Sequence, residues 1–327
     1  MTAQRMPLTV IGGFLGSGKT SLLNHWLQHA GGVRMAVLLN DFGTINIDAA
    51  LIESTSGQTI ALSNGCVCCQ IGDDLTAALI RVLDATPPFD AVVVEASGVS
   101  DPWRVAQMGR ADPALSLDGV VVLVDASSAL AQAGDPLLAD TLQRQLKAAD
   151  LIVLNHCDQA SQAERVRLGN WIASAAPSTP QFETTWARVP AELLSGLALS
   201  RSAHAPLGAH DHSDPQHGTQ FDTWSCQPGQ VFCAQALRQW LKAAQPGVLR
   251  LKGLLRTAEP GGDSAWSELQ FAPRHGTLRR ARVPVDGAAL VAIGLRGQLP
   301  RAALSALFAA PGSVLAFGAA AHRQQPR

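Results

Sequence analysis

An apolar run that ends in a glycine-rich turn constrains the fold of this chain more than any other feature. Residues 8–13 read LTVIGG, and residues 13–20 read GFLGSGKT, which matches the spacing G-x-x-x-x-G-K-[ST]. In the TSLLNHWLQH segment that follows, the large apolar residues fall on one helical face. A buried strand, a glycine loop and an amphipathic helix in this order predict the start of an α/β domain.

The glycine loop has the composition of a phosphate-binding loop. Its glycines let the backbone N–H groups surround phosphates closely, and the N-terminus of the following helix adds a positive field. We expect Lys19 to reach the β- and γ-phosphates of a nucleoside triphosphate and Thr20 to bind Mg²⁺. The residues predicted to bind the nucleotide here are Gly13, Gly16, Ser17, Gly18, Lys19, Thr20 and Ser21.

Further apolar runs extend the same pattern along the first half of the chain. RMAVLLN (34–40), AVVVEAS (91–97), GVVVLVD (119–125) and LIVLNH (151–156) are continuous rather than alternating, as strands buried on both faces are. Helical patterns separate them, which is typical of right-handed βαβ crossovers. The sequence therefore predicts an α/β fold, a P-loop NTPase domain with a doubly wound, mainly parallel sheet, over residues 1–199.

The texture of the chain changes in its second half. Residues 200–219 are rich in small and polar residues and lack periodicity, which predicts a His-bearing linker. Residues 220–312 combine helical and strand patterns and predict a smaller α+β domain, followed by a tail at 313–327. The formal net charge is −8 for residues 1–200 and +7 for residues 201–327, which also favours two domains.

The NHCD segment at residues 155–158 follows an apolar strand and resembles the N-K-x-D guanine-binding element of GTPases. In that element Asn155 would contact the base edge, and Asp158 would accept from the two N–H donors that guanine has and adenine lacks. His156 stands at the lysine position, where an imidazole can stack on the base. The alternative is that the Asn and Asp cap the next helix. We favour GTP over ATP.

Carboxylates near strand ends are the candidates for hydrolysis. Glu95 lies at the end of a buried strand, where it can hold Mg²⁺ or its water, and the N–H of Gly98 can approach the γ-phosphate. Asp41 follows the second strand, at the expected place of a nucleotide-sensing loop. Lys19, Glu95 and Asp41 are therefore the candidate catalytic residues. Since no glutamine stands at an obvious water-positioning place, we expect slow intrinsic turnover.

A cluster of thiols in NGCVCCQ, residues 64–70, places Cys66, Cys68 and Cys69 within four positions. Three uses compete on spacing alone: metal binding, burial as small hydrophobic residues, and redox chemistry. Thiolates are soft ligands that favour Zn²⁺, Co²⁺ or Cu⁺. Three ligands on one loop leave a fourth position open, which suits transfer of a metal better than a closed structural site does.

The remaining metal-binding side chains are more scattered. The linker carries four histidines, namely His204, His210, His212 and His217. They could form a weak surface site for a transition metal, or the segment could be a solvated tract without a ligand. Cys157, Cys226 and Cys233 are isolated, and we expect them to pack as small hydrophobic residues.

The composition also bears on location and partners. The N-terminal segment has no long apolar stretch, so we expect neither a signal peptide nor a membrane span, and therefore a cytoplasmic protein with reduced thiols. No basic run interleaved with aromatic residues occurs, which disfavours a nucleic-acid partner.

Taken in order, these segments resemble one family, the CobW-like P-loop GTPases, which are proposed to act as metal chaperones. The resemblance rests on GGFLGSGKTSLLN, NDFGTINID, NGCVCC, VVVEASGVSDP, NHCD and VLRLKG, and it covers essentially the whole chain. It implies a CobW-type C-terminal domain and a GTPase with GTP, Mg²⁺ and Zn²⁺ (or Co²⁺) as its ligands. It also implies that Cys66, Cys68 and Cys69 bind the transition metal, which is delivered to a client metalloprotein. A homodimer is compatible with this picture.

Other functions stay open on the sequence. The chain could activate one particular metalloenzyme, such as nitrile hydratase or a zinc-dependent peptidase. It could instead be a metal buffer in which the nucleotide site only gates storage. A small-molecule kinase is disfavoured by the guanine-like element and the cysteine cluster. Turnover that is stimulated by metal or client would favour a chaperone or activator over a buffer.

Overall fold

The structure is a computed structural model, and it describes part of the chain. The described residues are 5–30, 33–39, 59–61, 71–177, 179–195, 221–243, 245–260, 262–273, 275–281, 283–284, 287–310, 313 and 315. Asp41, the three cysteines of the C-x-C-C segment and the four linker histidines lie outside them. The chain divides into two compact units, Met1–Ser195 and Gly196–Arg327. None of the helices in these ranges is long and apolar enough to cross a membrane.

The first unit alternates strands and helices. The strands are β1 (Met6–Gly13), β2 (Met35–Leu39), β3 (Thr59–Ala61), β4 (Ala91–Glu95), β5 (Leu115–Asp125), β6 (Leu151–Asn155) and β7 (Gln181–Glu183). The helices are α1 (Lys19–Gln28), α2 (Ile71–Leu83), α3 (Pro102–Ala111), α4 (Ala129–Gly134), α5 (Ala139–Ala148), α6 (Gln162–Ala175) and α7 (Ala191–Leu194).

One parallel sheet organises the described part of this unit. Its strand order is β3-β2-β4-β1-β5-β6-β7, and each neighbouring pair is parallel. β1 is central, with β4 on one side and β5 on the other, so the chain winds outward in both directions. The predicted doubly wound sheet is confirmed. In such sheets ligands bind beyond the carboxyl ends of the strands, near the strand where the winding reverses, and here that strand leads into the glycine loop.

Burial explains why the long strands could be recognised from the sequence. Nearly every residue of β1, β2, β4, β5 and β6 is buried, because helices cover both faces of the sheet. Leu142 and Leu146 on α5 and Val105 on α3 belong to the same hydrophobic core as Val94 and Val122. The closely packed central strands therefore hold in place the described loops that follow their carboxyl ends.

The second unit is built on a mainly antiparallel sheet. Its elements are β8 (Phe221–Cys226), β9 (Val231–Cys233), α8 (Ala234–Lys242), β10 (Arg250–Ala258), β11 (Ala265–Ala272), β12 (His275–Arg280), β13 (Ala289–Leu295) and α9 (Arg301–Leu304), which continues as a π-helical turn, Ser305–Ala309. The strand order is β12-β11-β10-β13-β8, and β9 pairs in parallel with β10. The predicted α+β class is confirmed for this smaller domain.

An aromatic core holds the helices of the second unit on its sheet. Phe232 and Phe308 are fully buried, and Trp224 and Trp240 pack around Phe308. Trp240 meets the Phe308 ring edge-on, at a centroid distance of 5.4 Å, an arrangement that aromatic pairs favour. The indole N–H of Trp224 donates to the Ser305 hydroxyl at 2.9 Å, so its polar atom is satisfied.

Candidate functional site

The glycine loop between β1 and α1 has a backbone that only glycine adopts easily. Gly13, Gly16 and Gly18 have φ values of 136°, 78° and 96°. A Cβ atom on Gly13 would lie 2.4 Å from the Leu123 carbonyl oxygen, so the neighbouring strand β5 also excludes a side chain there. The glycine spacing that identified the loop in the sequence is therefore required by its conformation.

Lys19 is folded over this loop. Its Nζ donates to the carbonyl oxygens of Gly13, at 3.0 Å, and Phe14, at 3.3 Å. The same ammonium group lies 4.0 Å from Oε1 of Glu95, at the end of β4, and the residue is buried. The structure thus brings two of the predicted catalytic residues together, with a cation placed where phosphate charge is expected.

Asn155 connects the glycine loop to a second loop. It ends β6 and is fully buried; its Nδ2 donates to the Ser17 carbonyl at 3.0 Å, and its Oδ1 accepts from the backbone N–H of Ala187 at 2.8 Å. The amide therefore acts as a clasp between the phosphate loop and the loop after β7. This clasp was not predicted, since sequence reasoning assigned Asn155 a contact with the base edge or, as the alternative, a helix-capping role. The base contact stays a prediction.

The clasp predicts a large difference between two glycine substitutions. Alanine at Gly18 would place its Cβ 2.3 Å from Asn155 Nδ2, whereas alanine at Gly16 would meet nothing within 4 Å. Both positions have positive φ, so Gly16→Ala carries the backbone strain alone. We expect Gly16→Ala to lower the free energy of unfolding by about 1 kcal/mol, and Gly18→Ala by about 3 kcal/mol or more. Urea unfolding of the nucleotide-free variants checks this, and equal losses would contradict the clasp.

His156, the residue at the lysine position of the guanine-like element, faces a carboxylate. Its Nδ1 lies 3.4 Å from Oδ2 of Asp125, the last residue of β5. Burial by itself would raise the pKa of Asp125, but hydrogen bonds from the Ser127 hydroxyl and N–H, together with His156, hold that pKa below its ordinary value. The Asp125 carboxylate thus lies close enough to the imidazole of His156 to orient it. Its position at a strand end was the signal that sequence reasoning missed.

Residues with strained backbone follow the carboxyl ends of β6 and β7. Among the described residues, the non-glycine positions with positive φ are His156, Trp186 and Ala187, at 57°, 56° and 51°. Such conformations cost about 1–3 kcal/mol each and cluster where a binding site requires them. The Trp186 side chain is 73% exposed, whereas Ala187 is fully buried beside Asn155. No sequence signal marked this loop, because the three-residue strand before it is too short for a periodic pattern.

The other predicted guanine-contact residue is accessible. Asp158 follows Asn155 by three positions and its side chain is exposed, on the segment that begins the connection from β6 to α6. The helix itself is capped by Ser161, whose hydroxyl accepts from the Glu164 N–H while the Glu164 carboxylate accepts from the Ser161 N–H. Because Ser161 supplies the cap, the alternative role of Asp158 as helix cap is not needed.

An Mg²⁺ ion fits the residues next to the glycine loop. Thr20 follows Lys19 in the first turn of α1, and the Glu95 carboxylate lies 4.0 Å from the Lys19 ammonium group. A hydroxyl and a carboxylate are hard oxygen ligands of the kind that Mg²⁺ prefers. Within the described residues, the buried hydroxyl oxygens of Ser17 and Ser97 have no hydrogen-bond partner. Buried hydroxyls of this kind are normally satisfied, and a hydrated, phosphate-bound ion would supply partners.

The isolated cysteines are buried or half-buried and lie apart from one another in the sequence. Cys157 and Cys233 are buried and Cys226 is half-buried, and none forms a disulfide. Burial raises the pKa of the Cys157 thiol, and it raises the pKa of Cys226 to about 12. Since the thiolate is the metal-binding form, these two thiols are poor ligands at neutral pH. The prediction that the isolated cysteines pack as small hydrophobic residues is confirmed.

Comparison with known proteins agrees with this organisation. Residues 7–183 match the family model described as CobW/HypB/UreG, nucleotide-binding domain. Residues 221–311 match the model of the cobalamin synthesis protein cobW C-terminal domain. The zinc chaperone CobW of a Sinorhizobium species is 29% identical over 287 residues, which cover 76% of this chain and 81% of that protein.

Two further relatives match over shorter stretches. The zinc chaperone YjiA of Escherichia coli is 38% identical over 49% of this chain and 52% of its own length. The zinc-regulated GTPase metalloprotein activator 1 of Schizosaccharomyces pombe is 33% identical over 58% of this chain and 48% of its own length. The alignments thus span about half the length of these two relatives. Since the nucleotide-binding model alone matches more than half of the chain, the protein belongs to the CobW/HypB/UreG family.

Proposed function

We propose that the protein is a GTP-hydrolysing metallochaperone. It binds GTP at the glycine loop, binds zinc, or cobalt as the second candidate, at the C-x-C-C segment, and delivers the metal to a client metalloprotein. The observation that carries the nucleotide part is the position of Lys19, a buried ammonium group held over the loop between two carbonyl oxygens and Glu95. A buried ammonium group beside the phosphate loop is placed to pair with triphosphate oxygens in addition to the Glu95 carboxylate.

The metal part is supported by chemistry and by the names of the relatives. Three relatives are called zinc chaperones or zinc-regulated activators. In this chain, Cys66, Cys68 and Cys69 form the only group of closely spaced thiols in the sequence. The Schizosaccharomyces pombe relative is called a metalloprotein activator, which supports a second candidate function, activation of a metalloprotein client. We place this activity in the cytoplasm, where thiols stay reduced, and retain a homodimer as a candidate assembly.

The residues on the glycine loop suggest how hydrolysis proceeds. We infer that Lys19 leaves the Gly13 and Phe14 carbonyls when the triphosphate enters, and that its ammonium group then neutralises charge on the β- and γ-phosphates. Mg²⁺, held on the protein side by Thr20 and Glu95, would neutralise the developing charge on the phosphate oxygens. The Asn155 clasp would hold the loop after β7 in a fixed position relative to the phosphate loop during the reaction.

Nucleotide specificity tests this proposal. The exposed carboxylate of Asp158 would accept from the N1–H and amino group of guanine, which adenine does not present. We expect GTP to bind at least about tenfold more tightly than ATP, a difference of about 1.4 kcal/mol. Asp158→Asn should lose this preference and gain affinity for xanthosine triphosphate, because the new amide can donate to the xanthine oxygen. Calorimetric titration with the three nucleotides measures the change.

A matched substitution separates base recognition from general charge. Asp84 is an exposed carboxylate that directly follows α2, so Asp84→Asn removes the same charge away from the guanine-like element. We expect Asp84→Asn to retain the GTP preference. Equal affinity of the unchanged protein for ATP and GTP would remove the GTPase assignment, whatever the variants do.

A further inference from the structure

A buried glutamine on α5 holds the loop that follows Glu95. The side chain of Gln145 is fully buried, and its Nε2 donates to the backbone carbonyls of Gly98, at 3.0 Å, and Ser100, at 3.1 Å. Because both contacts are with carbonyl oxygens, the amide nitrogen must be the atom that faces the loop. Gln145 belongs to none of the motifs that identify the nucleotide site.

The loop that Gln145 contacts is a single tight turn. The Ser97 carbonyl accepts from both the N–H of Ser100, at 3.0 Å, and the Ser100 hydroxyl, at 2.9 Å. Fixing the Ser97 carbonyl fixes the plane of the peptide that carries the N–H of Gly98. Gln145 fixes the next peptide through the Gly98 carbonyl. The two peptides on either side of Gly98 are thus held by separate hydrogen bonds.

This turn lies against the phosphate loop. A Cβ atom on Gly98 would be 2.9 Å from the Leu15 backbone nitrogen and 2.7 Å from Leu15 Cδ2, so no side chain fits there. Leu15 is part of the glycine loop, and its own side chain is 62% exposed. The N–H of Gly98 is therefore carried by a fixed peptide beside Leu15 of the phosphate loop, and it is the candidate donor to the γ-phosphate of a bound triphosphate.

Glutamine is a costly residue at this buried position. Its Oε1 is buried and has no hydrogen-bond partner within the described residues, so the side chain retains an unsatisfied acceptor. A methionine or leucine of similar size would avoid that penalty in a helix whose neighbouring residues, Leu142 and Leu146, are core residues. An apolar residue could not donate the two hydrogen bonds to the Gly98 and Ser100 carbonyls, and these bonds explain why a glutamine occupies the position.

We propose that Gln145 is a positioning residue for the γ-phosphate: it holds the Ser97–Ser100 turn against the phosphate loop, so that the Gly98 N–H meets the γ-phosphate without further ordering. The inference rests on the proposed function, since it concerns the same triphosphate site. GDP has no γ-phosphate and does not use this N–H. The contribution of Gln145 is therefore specific to the triphosphate, which separates it from residues that support the fold alone.

The test is the ratio of two affinities in the full-length protein. Gln145→Met keeps the length and volume of the side chain but removes both donors. We expect the affinity for a non-hydrolysable GTP analogue to fall by about tenfold while the affinity for GDP is unchanged. The single-turnover rate of GTP hydrolysis should fall with it. Gln143→Met is the control, because Gln143 lies on the same helix but is exposed, and it should change neither affinity.

The alternatives predict different outcomes. If Gln145→Met loses affinity equally for GDP and for the GTP analogue, Gln145 only supports the fold. If its affinity for the analogue rises, Gln145 holds the turn away from the phosphate. Either result overturns the proposal. If Gln145→Met does not fold, Gln145→Asn keeps the amide but is too short to reach both carbonyls, and the same ratio is measured. Equal affinity of the unchanged protein for ATP and GTP would refute the proposed GTPase function but not the role of Gln145. That role would then be tested by measuring the affinity of Gln145→Met for an ATP analogue and for ADP.

Discussion

The affinity of the C-x-C-C segment for zinc is expected to be about 5- to 150-fold higher with a non-hydrolysable GTP analogue bound than with GDP bound. The segment follows β3, which ends at Ala61 and runs parallel to β1. The carboxyl end of β3 therefore lies on the same side of the sheet as the carboxyl end of β1, which leads into the phosphate loop. Three strand spacings, about 14 Å, separate β3 from β1 in the sheet. A γ-phosphate with Mg²⁺ can order loops at this edge, and hydrolysis releases them.

The coupling must be reciprocal. If GTP draws Cys66, Cys68 and Cys69 together, zinc must raise the affinity for GTP by the same factor. Paired titrations measure both sides: zinc affinity with the GTP analogue and with GDP, and nucleotide affinity with and without zinc. Hydrolysis would then lower the zinc affinity at the moment when the client takes the ion.

Cysteine substitutions locate the coupling. Cys66→Ala or Cys68→Ala should abolish it and leave basal nucleotide binding, since neither belongs to the phosphate loop. Cys226→Ser is the control, because that thiol has its pKa raised to about 12 and is protonated at neutral pH. Identical zinc affinity in the two nucleotide states would exclude the chaperone mechanism, even if both ligands bound well.

Lys19→Ala should reduce the affinity for GTP by about 100-fold, which corresponds to about 2.7 kcal/mol. The ammonium group of Lys19 is buried over the phosphate loop and lies 4.0 Å from the Glu95 carboxylate. Removing it leaves the phosphates without their fixed cation and beside a buried carboxylate, so attraction is lost and repulsion is gained. Calorimetric titration of the variant with the non-hydrolysable GTP analogue gives the loss directly.

The control for this variant is another lysine. Lys147 is exposed in the last turn of α5, and Lys147→Ala should leave GTP affinity unchanged. Zinc binding in the absence of nucleotide should also persist in Lys19→Ala, because Lys19 is not one of the predicted zinc ligands Cys66, Cys68 and Cys69. An unchanged GTP affinity in Lys19→Ala, with a normal melting temperature, would place the triphosphate elsewhere.

The long strands could be predicted from the sequence because they are buried on both faces. Runs such as VVVLV in β5 need no alternation, and length and β-branching then distinguish them from helices. β3 and β7 were missed, since three residues, TIA and QFE, are too few to carry a period. β8, FDTWSC, was missed because it follows the linker directly and its charged and polar residues resemble a continuation of the linker.

The candidate site was predictable only where one short segment carries the chemistry. The glycines and Lys19 follow from backbone geometry within eight residues, so their spacing is visible in the sequence. The Asn155 clasp joins residues 138 and 32 positions apart, and Gln145 contacts Gly98 across 47 positions. A lone buried glutamine on a helix looks like a surface residue in sequence. Such contacts depend on the packed fold and not on local pattern.

The short strands at the two ends of the parallel sheet also bear on how the protein behaves at high concentration. An edge strand offers unpaired N–H and C=O groups to other chains, and long flat edges promote intermolecular pairing and aggregation. Within the residues that the structure describes, the two edge strands β3 and β7 have three residues each, and the Glu183 carboxylate on β7 forms an ion pair with Arg165. At the β7 edge, where the flanking residues are described as well, the strand is therefore too short and too charged to template a fibril.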